Sequence, residues 1–187
     1  MQIEPELLDA CLRQDRLAQS ELFRRCFSML MGICMRYAKD EEQGRELLNL
    51  GFLKILNNLS KRKPGTPLEP WMRRVMINAI IDEYRKHKRH KETMVYTDWD
   101  EHHTGQEAID FNMADRKFDA EDIEMMIQGL PPMTREVFNL HIIDGYAHKE
   151  IAKMLGIAEG TSKWHVNQAR KKIQGQLMEQ QRIQKAS

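Results

Sequence analysis

The 187-residue chain has only three cysteines, Cys11, Cys26 and Cys34, and no C-x-x-C pair. Each falls on an apolar helical stripe, so the sequence reads as buried free thiols in a reducing compartment rather than a disulfide framework. No uninterrupted apolar run approaches the roughly eighteen residues that a membrane span needs, and no secretory leader pattern opens the sequence. A soluble, cytoplasmic protein without membrane insertion is expected. There is no internal repeat, no low-complexity tract, no nucleophile–base pair and no glycine-rich phosphate loop. An enzyme is therefore not expected, nor a cofactor. His102-His103 stands beside Asp98, Asp100 and Glu101, but adjacent residues rarely chelate one ion together, and the reading is a solvated loop with no metal. The 13 methionines read as gap-fillers in helical cores.

Net charge is also scarce, at +1, which argues against a uniformly basic coat for nucleic acid. The distribution says more than the sum. Lys61 to Arg89 holds nine basic and three acidic residues, a local +6, whereas Glu92 to Glu124 holds eleven acidic and two basic, a local −9. Basic charge returns from Lys163 onward. This is the layout of two binding modules with a repelled linker between them. A chain of 187 residues with 41% hydrophobic and 30% charged residues suits one helix-rich domain or two small ones, and with this charge layout the expectation is an all-α protein of two small helical domains. The expected division is residues 1–91, an acidic linker over 92–120, a second domain over 121–180 and a tail over 181–187, with fraying after Leu177.

Helical periodicity carries the first domain. A short helix from Glu4 to Gln14 presents Leu7, Leu8, Cys11 and Leu12. A longer one from Leu17 to Ala38 has the stripe Leu22, Phe23, Cys26, Phe27, Leu30, Ile33, Cys34 and Tyr37. Asp40, with Gln43 three residues on, forms a capping-box pattern for a third helix whose inward face is Leu47, Leu48, Phe52, Ile55, Leu56 and Leu59. Three prolines and a glycine dictate a loop over Lys61 to Pro70. The fourth helix, from Trp71 to about Lys88, has two faces. Met72, Val75, Met76, Ala79, Ile80 and Tyr84 can pack inward, while Arg74, Asn78, Asp82 and Arg85 step by four, four and three along one polar stripe.

The stretch from Leu130 to Ile173 organises the second domain. Pro131 and Pro132 suit a first helical turn, Val137, Phe138, Ile142 and Ile143 follow at helical spacing, and Asp144-Gly145 stops the helix. Another helix from His148 to Leu155 buries Ile151, Ala152 and Leu155, and Gly156 can leave it in a left-handed conformation. The last helix, from Glu159, places Ser162, Val166, Ala169 and Ile173 on one buried face. Thr161, Lys163, Trp164, Asn167, Gln168 and Lys171 then point outward, with Arg170 and Lys172 beside them. These are the proportions of a helix-turn-helix whose second helix fits a DNA major groove. A small bundle with a solvated basic face is the alternative.

Leu130-Pro131-Pro132, Arg135-Glu136-Val137-Phe138, Glu150-Ile151-Ala152, Leu155-Gly156-Ile157, Glu159-Gly160-Thr161 and Ala169-Arg170-Lys171-Lys172 together resemble region four of sigma-70 family factors of the extracytoplasmic-function type. The order Trp71, Arg74, Asn78, Asp82, Arg85 resembles region two of the same family. The resemblance implies an alternative sigma factor that binds core RNA polymerase and promoter DNA, with an anti-sigma factor as a further partner. By resemblance, Glu159, Thr161, Lys163, Trp164, Asn167, Gln168, Arg170 and Lys171 would meet the minus-thirty-five element. Lys61, Arg62, Lys63, Trp71, Arg74, Asn78, Asp82, Arg85 and Lys86 would meet the minus-ten element, and Glu46, Asn49 and Leu50 the polymerase.

Departures from the family pattern are visible too. Ala147 and Ala158 stand where helix-capping Ser or Thr is usual, each lost cap costing about 1 kcal/mol, although Glu150 can reach back to a backbone N–H. Leu50 stands where Glu is common, and Trp164, His165, Asn167 and Gln168 differ from the usual base-facing residues, so no promoter sequence carries over. A rival reading is a stand-alone helix-turn-helix regulator that binds duplex DNA without polymerase, with residues 1–90 as a sensor or dimerisation domain. The Trp71 to Arg85 stripe argues against it, because a sensor domain has no need of that constellation.

Overall fold

The computed structural model describes residues 3–91 and 120–186. The acidic linker and the His102-His103 pair lie outside those residues. The described chain is all-α and divides into two units, Met1–Lys91 and Glu92–Ser187.

The first unit contains α1 (Pro5–Leu12), α2 (Arg16–Tyr37), α3 (Glu41–Asn58) and α4 (Leu68–Lys91). Caps fix two of the starts. Asp15 accepts from the N–H groups of Leu17 and Ala18 at 2.8 and 3.0 Å, and Asp40 accepts from Gln43 N–H at 2.8 Å. The Gln43 side chain completes the expected reciprocal bond one residue early, on Lys39 N–H at 2.8 Å.

Leu22, Leu30 and Ile33 of α2, Leu48 and Ile55 of α3, and Met72 and Met76 of α4 form the core, each fully buried side chain contributing about 1.5–3 kcal/mol. All three cysteines are free and buried. Cys34 Sγ lies 3.6 Å from Met76 Sδ and Cys26 Sγ 4.0 Å from Met72 Sδ, and burial pushes the two thiols up to about 12 and about 11. Two expected inward residues are exposed instead, Leu12 and Phe27. Phe27 sits at the edge of the stripe and packs edge-on against Phe23, which itself meets buried Phe52 at 4.9 Å.

The second unit contains α5 (Ala120–Gln128), α6 (Pro132–Phe138), α7 (His148–Leu155) and α8 (Glu159–Ala186). Met126, Leu130, Phe138, Ala169 and Ile173 form a buried cluster in its core, with Ile127 and Leu177 packed against them. Ile142 and Ile143, which helical spacing lines up with Val137 and Phe138, are not buried with them. After Phe138 the helix widens into a π turn over Asn139–Ile143, in which Asp144 N–H donates to the Asn139 carbonyl at 2.9 Å. The wider turn brings Asn139 and Leu140 inward and carries Ile142 and Ile143 round to 43% and 42% exposure. Helix α8 also continues to Ala186, past the fraying expected after Leu177. Among the described residues no helix is long and apolar enough to cross a membrane.

Candidate nucleic-acid interfaces

The turn between α7 and α8 follows from its residues. Gly156 takes φ 68°, where a side chain would be strained, and both its N–H and that of Ile157 return to the Ala152 carbonyl, the latter at 3.1 Å. At the other end of α7, Ala147 offers no side-chain cap. Its own N–H donates to Glu150 Oε2 at 2.9 Å, so half of a capping box survives.

Helix α8 has the two faces expected of it. Ser162, Val166, Ala169 and Ile173 are buried. Glu159, Thr161, Lys163, Trp164, Gln168 and Lys171 are exposed, and Asn167 and Arg170 are half-buried. Lys163 Nζ pairs with Glu159 Oε1 at 2.8 Å, which holds the Glu159 carboxyl below its usual range. Lys172 Nζ turns back to the Gly129 carbonyl at 2.9 Å. His165, grouped with the base-facing residues on sequence, belongs to the interior side instead. Its Nδ1 lies 3.0 Å from Thr134 Oγ1 of α6, and burial pushes its pKa down. The half-exposed Trp164 ring stands edge-on to it at 4.9 Å.

Sequence reasoning placed Ser162 inside but missed its partner, since nothing local announces a bond across fourteen residues. His148 Nδ1 of α7 lies 2.9 Å from Ser162 Oγ, and the His148 ring stacks on His141 at 4.0 Å. His141 in turn donates from Nδ1 to the Tyr146 carbonyl at 2.8 Å. Burial is the largest cause of a lowered His148 pKa, followed by the neighbouring His141 and Lys163.

In the first unit, Arg74, Asn78 and Asp82 lie exposed along α4, Arg85 and Trp71 are half-buried, and Lys86 is exposed and paired with Glu83 at 3.1 Å. The stripe also has a neighbour that the sequence did not reveal. Lys54 of α3 reaches across to Asp82, Nζ to Oδ2, at 2.8 Å. Before α4, Lys61 and Lys63 are exposed, while Arg62 donates to the Thr66 carbonyl and ties its loop together. On α3, Glu46 and Asn49 are exposed and Leu50 is half-buried. Leu53, 55% exposed, is a further apolar group on that helix. Among the described residues no group of three or more metal-ligating side chains converges.

One unit thus presents a helix-turn-helix with a polar and basic outward stripe, and the other a long helix with a mixed polar stripe beside basic residues. These are features of a protein that handles DNA through two modules.

Comparison with known proteins narrows the class. Residues 120–173 match the family model "Sigma-70, region 4" and residues 22–90 match "Sigma-70 region 2". The chain is 31% identical over 134 residues to the RNA polymerase sigma factor SigZ of Bacillus subtilis, covering 72% of each chain. It is 25% identical over 173 residues to the ECF RNA polymerase sigma factor SigM of Mycobacterium tuberculosis, covering 91% of this chain and 82% of that one. A solved structure of the sigma factor RpoE from Bartonella quintana, in complex with the anti-sigma factor NepR, has the same fold, with a TM-score of 0.50 at 19% identity over 85% of this chain and 96% of that one. The chain belongs to the sigma-70 family of RNA polymerase sigma factors, in its extracytoplasmic-function branch. It is an alternative sigma factor that directs transcription initiation. The region-two match occupies the part of the chain that a stand-alone regulator would devote to sensing or dimerisation.

Proposed function

We propose a division of labour among the named side chains. Residues 1–91 bind core RNA polymerase through Glu46, Asn49 and Leu50 on α3. The same module engages the minus-ten element through Lys61, Arg62, Lys63, Trp71, Arg74, Asn78, Asp82, Arg85 and Lys86. Residues 121–180 read the minus-thirty-five element through Glu159, Thr161, Lys163, Trp164, Asn167, Gln168, Arg170 and Lys171, with 92–120 as the linker and 181–187 as a tail. The protein acts in the cytoplasm and is not itself a catalyst. Its partners are core polymerase, promoter DNA and an anti-sigma factor that masks these surfaces.

The observation that carries the reading is the clean split of α8. One face is sealed into the core by Ser162, Val166, Ala169 and Ile173, which leaves amide, hydroxyl and ammonium groups on the other, the chemistry that pairs with base edges and phosphates. Within α4, guanidinium and amide groups can meet the bases of an opened strand while lysines neutralise its phosphates.

Gel filtration with core polymerase tests the polymerase part. The wild-type chain should co-elute with core, and Glu46→Arg should reduce that co-elution without unfolding the protein, because Glu46 is exposed. Undiminished co-elution would remove α3 from the interface.

A further inference from the structure

Asp82 is an odd component of a surface proposed to receive a nucleic-acid strand. It is the one acid in the series Arg74, Asn78, Asp82, Arg85, and its side chain is 52% exposed. An exposed carboxylate repels phosphates that come within a Debye length. The structure supplies a counter-charge from a different helix. Lys54 Nζ lies 2.8 Å from Asp82 Oδ2, twenty-eight residues away in sequence, with the lysine side chain 34% exposed.

We propose that Lys54 is a positioning residue for the promoter strand, acting through Asp82. This rests on the reading of α4 as the face that meets the minus-ten element. Lys54 does two things to the carboxylate. It leaves the pair electrically neutral, so the stripe keeps the attraction of Arg74 and Arg85 for phosphate without a local repulsion. It also holds Oδ2, which aims Oδ1 as an acceptor for the exocyclic amino group of an unpaired adenine or cytosine, the kind of contact a carboxylate makes with a base edge. Lys54 stands one helical turn after Leu50, so the same stretch of α3 that is proposed to meet polymerase also sets the charge of the DNA-facing stripe. As a fold contact the pair matters little, because exposed ion pairs contribute marginally to stability. Its effect belongs to strand binding.

The test uses full-length chain reconstituted with core polymerase. The probe is a fluorescein-labelled duplex with a mixed-sequence single-stranded overhang of about ten nucleotides, read by anisotropy. Lys54→Met should weaken binding about threefold to tenfold near 50 mM salt, and the loss should shrink to under about twofold near 0.3 M as screening increases. Lys54→Arg should bind like wild type. On this mixed-sequence probe the charge effect outweighs any one base contact, so Asp82→Asn should bind at least as tightly as wild type, and the Lys54→Met/Asp82→Asn double variant should match Asp82→Asn alone, because no uncompensated carboxylate is left.

If Lys54→Met costs as much in the Asp82→Asn background as in wild type, Lys54 touches the strand itself; the proposal is then overturned while α4 keeps its DNA-facing role. A loss that is independent of salt and follows a lowered melting temperature makes the pair purely structural, which also overturns it. If Lys54→Met, Asp82→Asn and Arg74→Ala all leave affinity unchanged, the reading of α4 falls and the proposal falls with it.

Discussion

Ser162 Oγ and His148 Nδ1 lie 2.9 Å apart and join the first turn of α8 to the first turn of α7. Ser162 is fully buried, so removing its hydroxyl leaves an imidazole nitrogen without that partner. Ser162→Ala should destabilise the second unit by about 1–2 kcal/mol in urea unfolding, and Ser162→Ala with His148→Leu should lose less than the two single losses added together. Strict additivity would mean that the bond contributes nothing.

The same region should respond to pH. Burial pushes the pKa of both His148 and His165 below the ordinary value of 6.5, His141 and Lys163 adding to the effect at His148. The unfolded chain therefore takes up these protons first as the pH falls. The contribution to stability is full above the unfolded value of 6.5 and is lost as pH falls through the lower folded values. Melting temperatures of wild type should drop between about pH 7 and pH 5, and the drop should be smaller in His148→Gln. A profile that the substitution leaves unchanged would place the sensitivity elsewhere.

Gly51 is set by its neighbour across the α3–α4 contact. A Cβ there would lie 2.1 Å from Met76 Sδ and 2.6 Å from Met76 Cε, and Met76 is fully buried against Cys34. Alanine gains about 1 kcal/mol of helix propensity over glycine, but overpacking costs about 1–3 kcal/mol. Gly51→Ala should therefore destabilise the first unit. In a Met76→Ala background the sign should reverse and the alanine should stabilise, a result accessible by comparing denaturation midpoints of the four proteins.

The helix caps offer a gain rather than a loss. Ala147→Ser adds the missing acceptor at the start of α7, where Glu150 already holds the Ala147 N–H at 2.9 Å, and should stabilise by about 0.5–1 kcal/mol. Glu150→Ala should cost a comparable amount. An Ala147→Ser protein no more stable than wild type would show that water already satisfies those first-turn amides.

On DNA the outward face of α8 should separate into two kinds of residue. Lys171→Gln should weaken binding evenly across sequences and lower the slope of log affinity against log salt by about 1. Asn167→Ala should instead cost about 1–3 kcal/mol at one base pair and relax selection there. Selection by sequencing of bound fragments distinguishes them; equal behaviour of the two variants would deny Asn167 a base contact.

Much of this was legible because helical periodicity is a local signal. The buried series Ser162, Val166, Ala169, Ile173 and the caps at Asp40 and Glu150 depend on residues a few positions apart, and the structure places each of them as expected. Failures arose where geometry is not periodic or partners are distant. A strict 3.6-residue repeat puts Ile142 and Ile143 inside, but the π turn over Asn139–Ile143 shifts the phase and substitutes Leu140. The family resemblance places His165 among the base-facing positions, whereas Thr134 on another helix draws it inward. Neither Lys54–Asp82 nor His148–Ser162 could be read from spacing, since each joins two helices whose packing has to be known first.

Run-off transcription with start-site sequencing, using core polymerase and fragmented genomic DNA from the source organism with and without this chain, asks whether this protein directs initiation through two promoter elements. Discrete new start sites that share two spaced upstream motifs should appear, with Lys171→Gln weakening all of them and Asn167→Ala altering the preferred base in the upstream motif. No new start sites, together with binding of the chain alone to duplex DNA, would instead leave a regulator that works without polymerase.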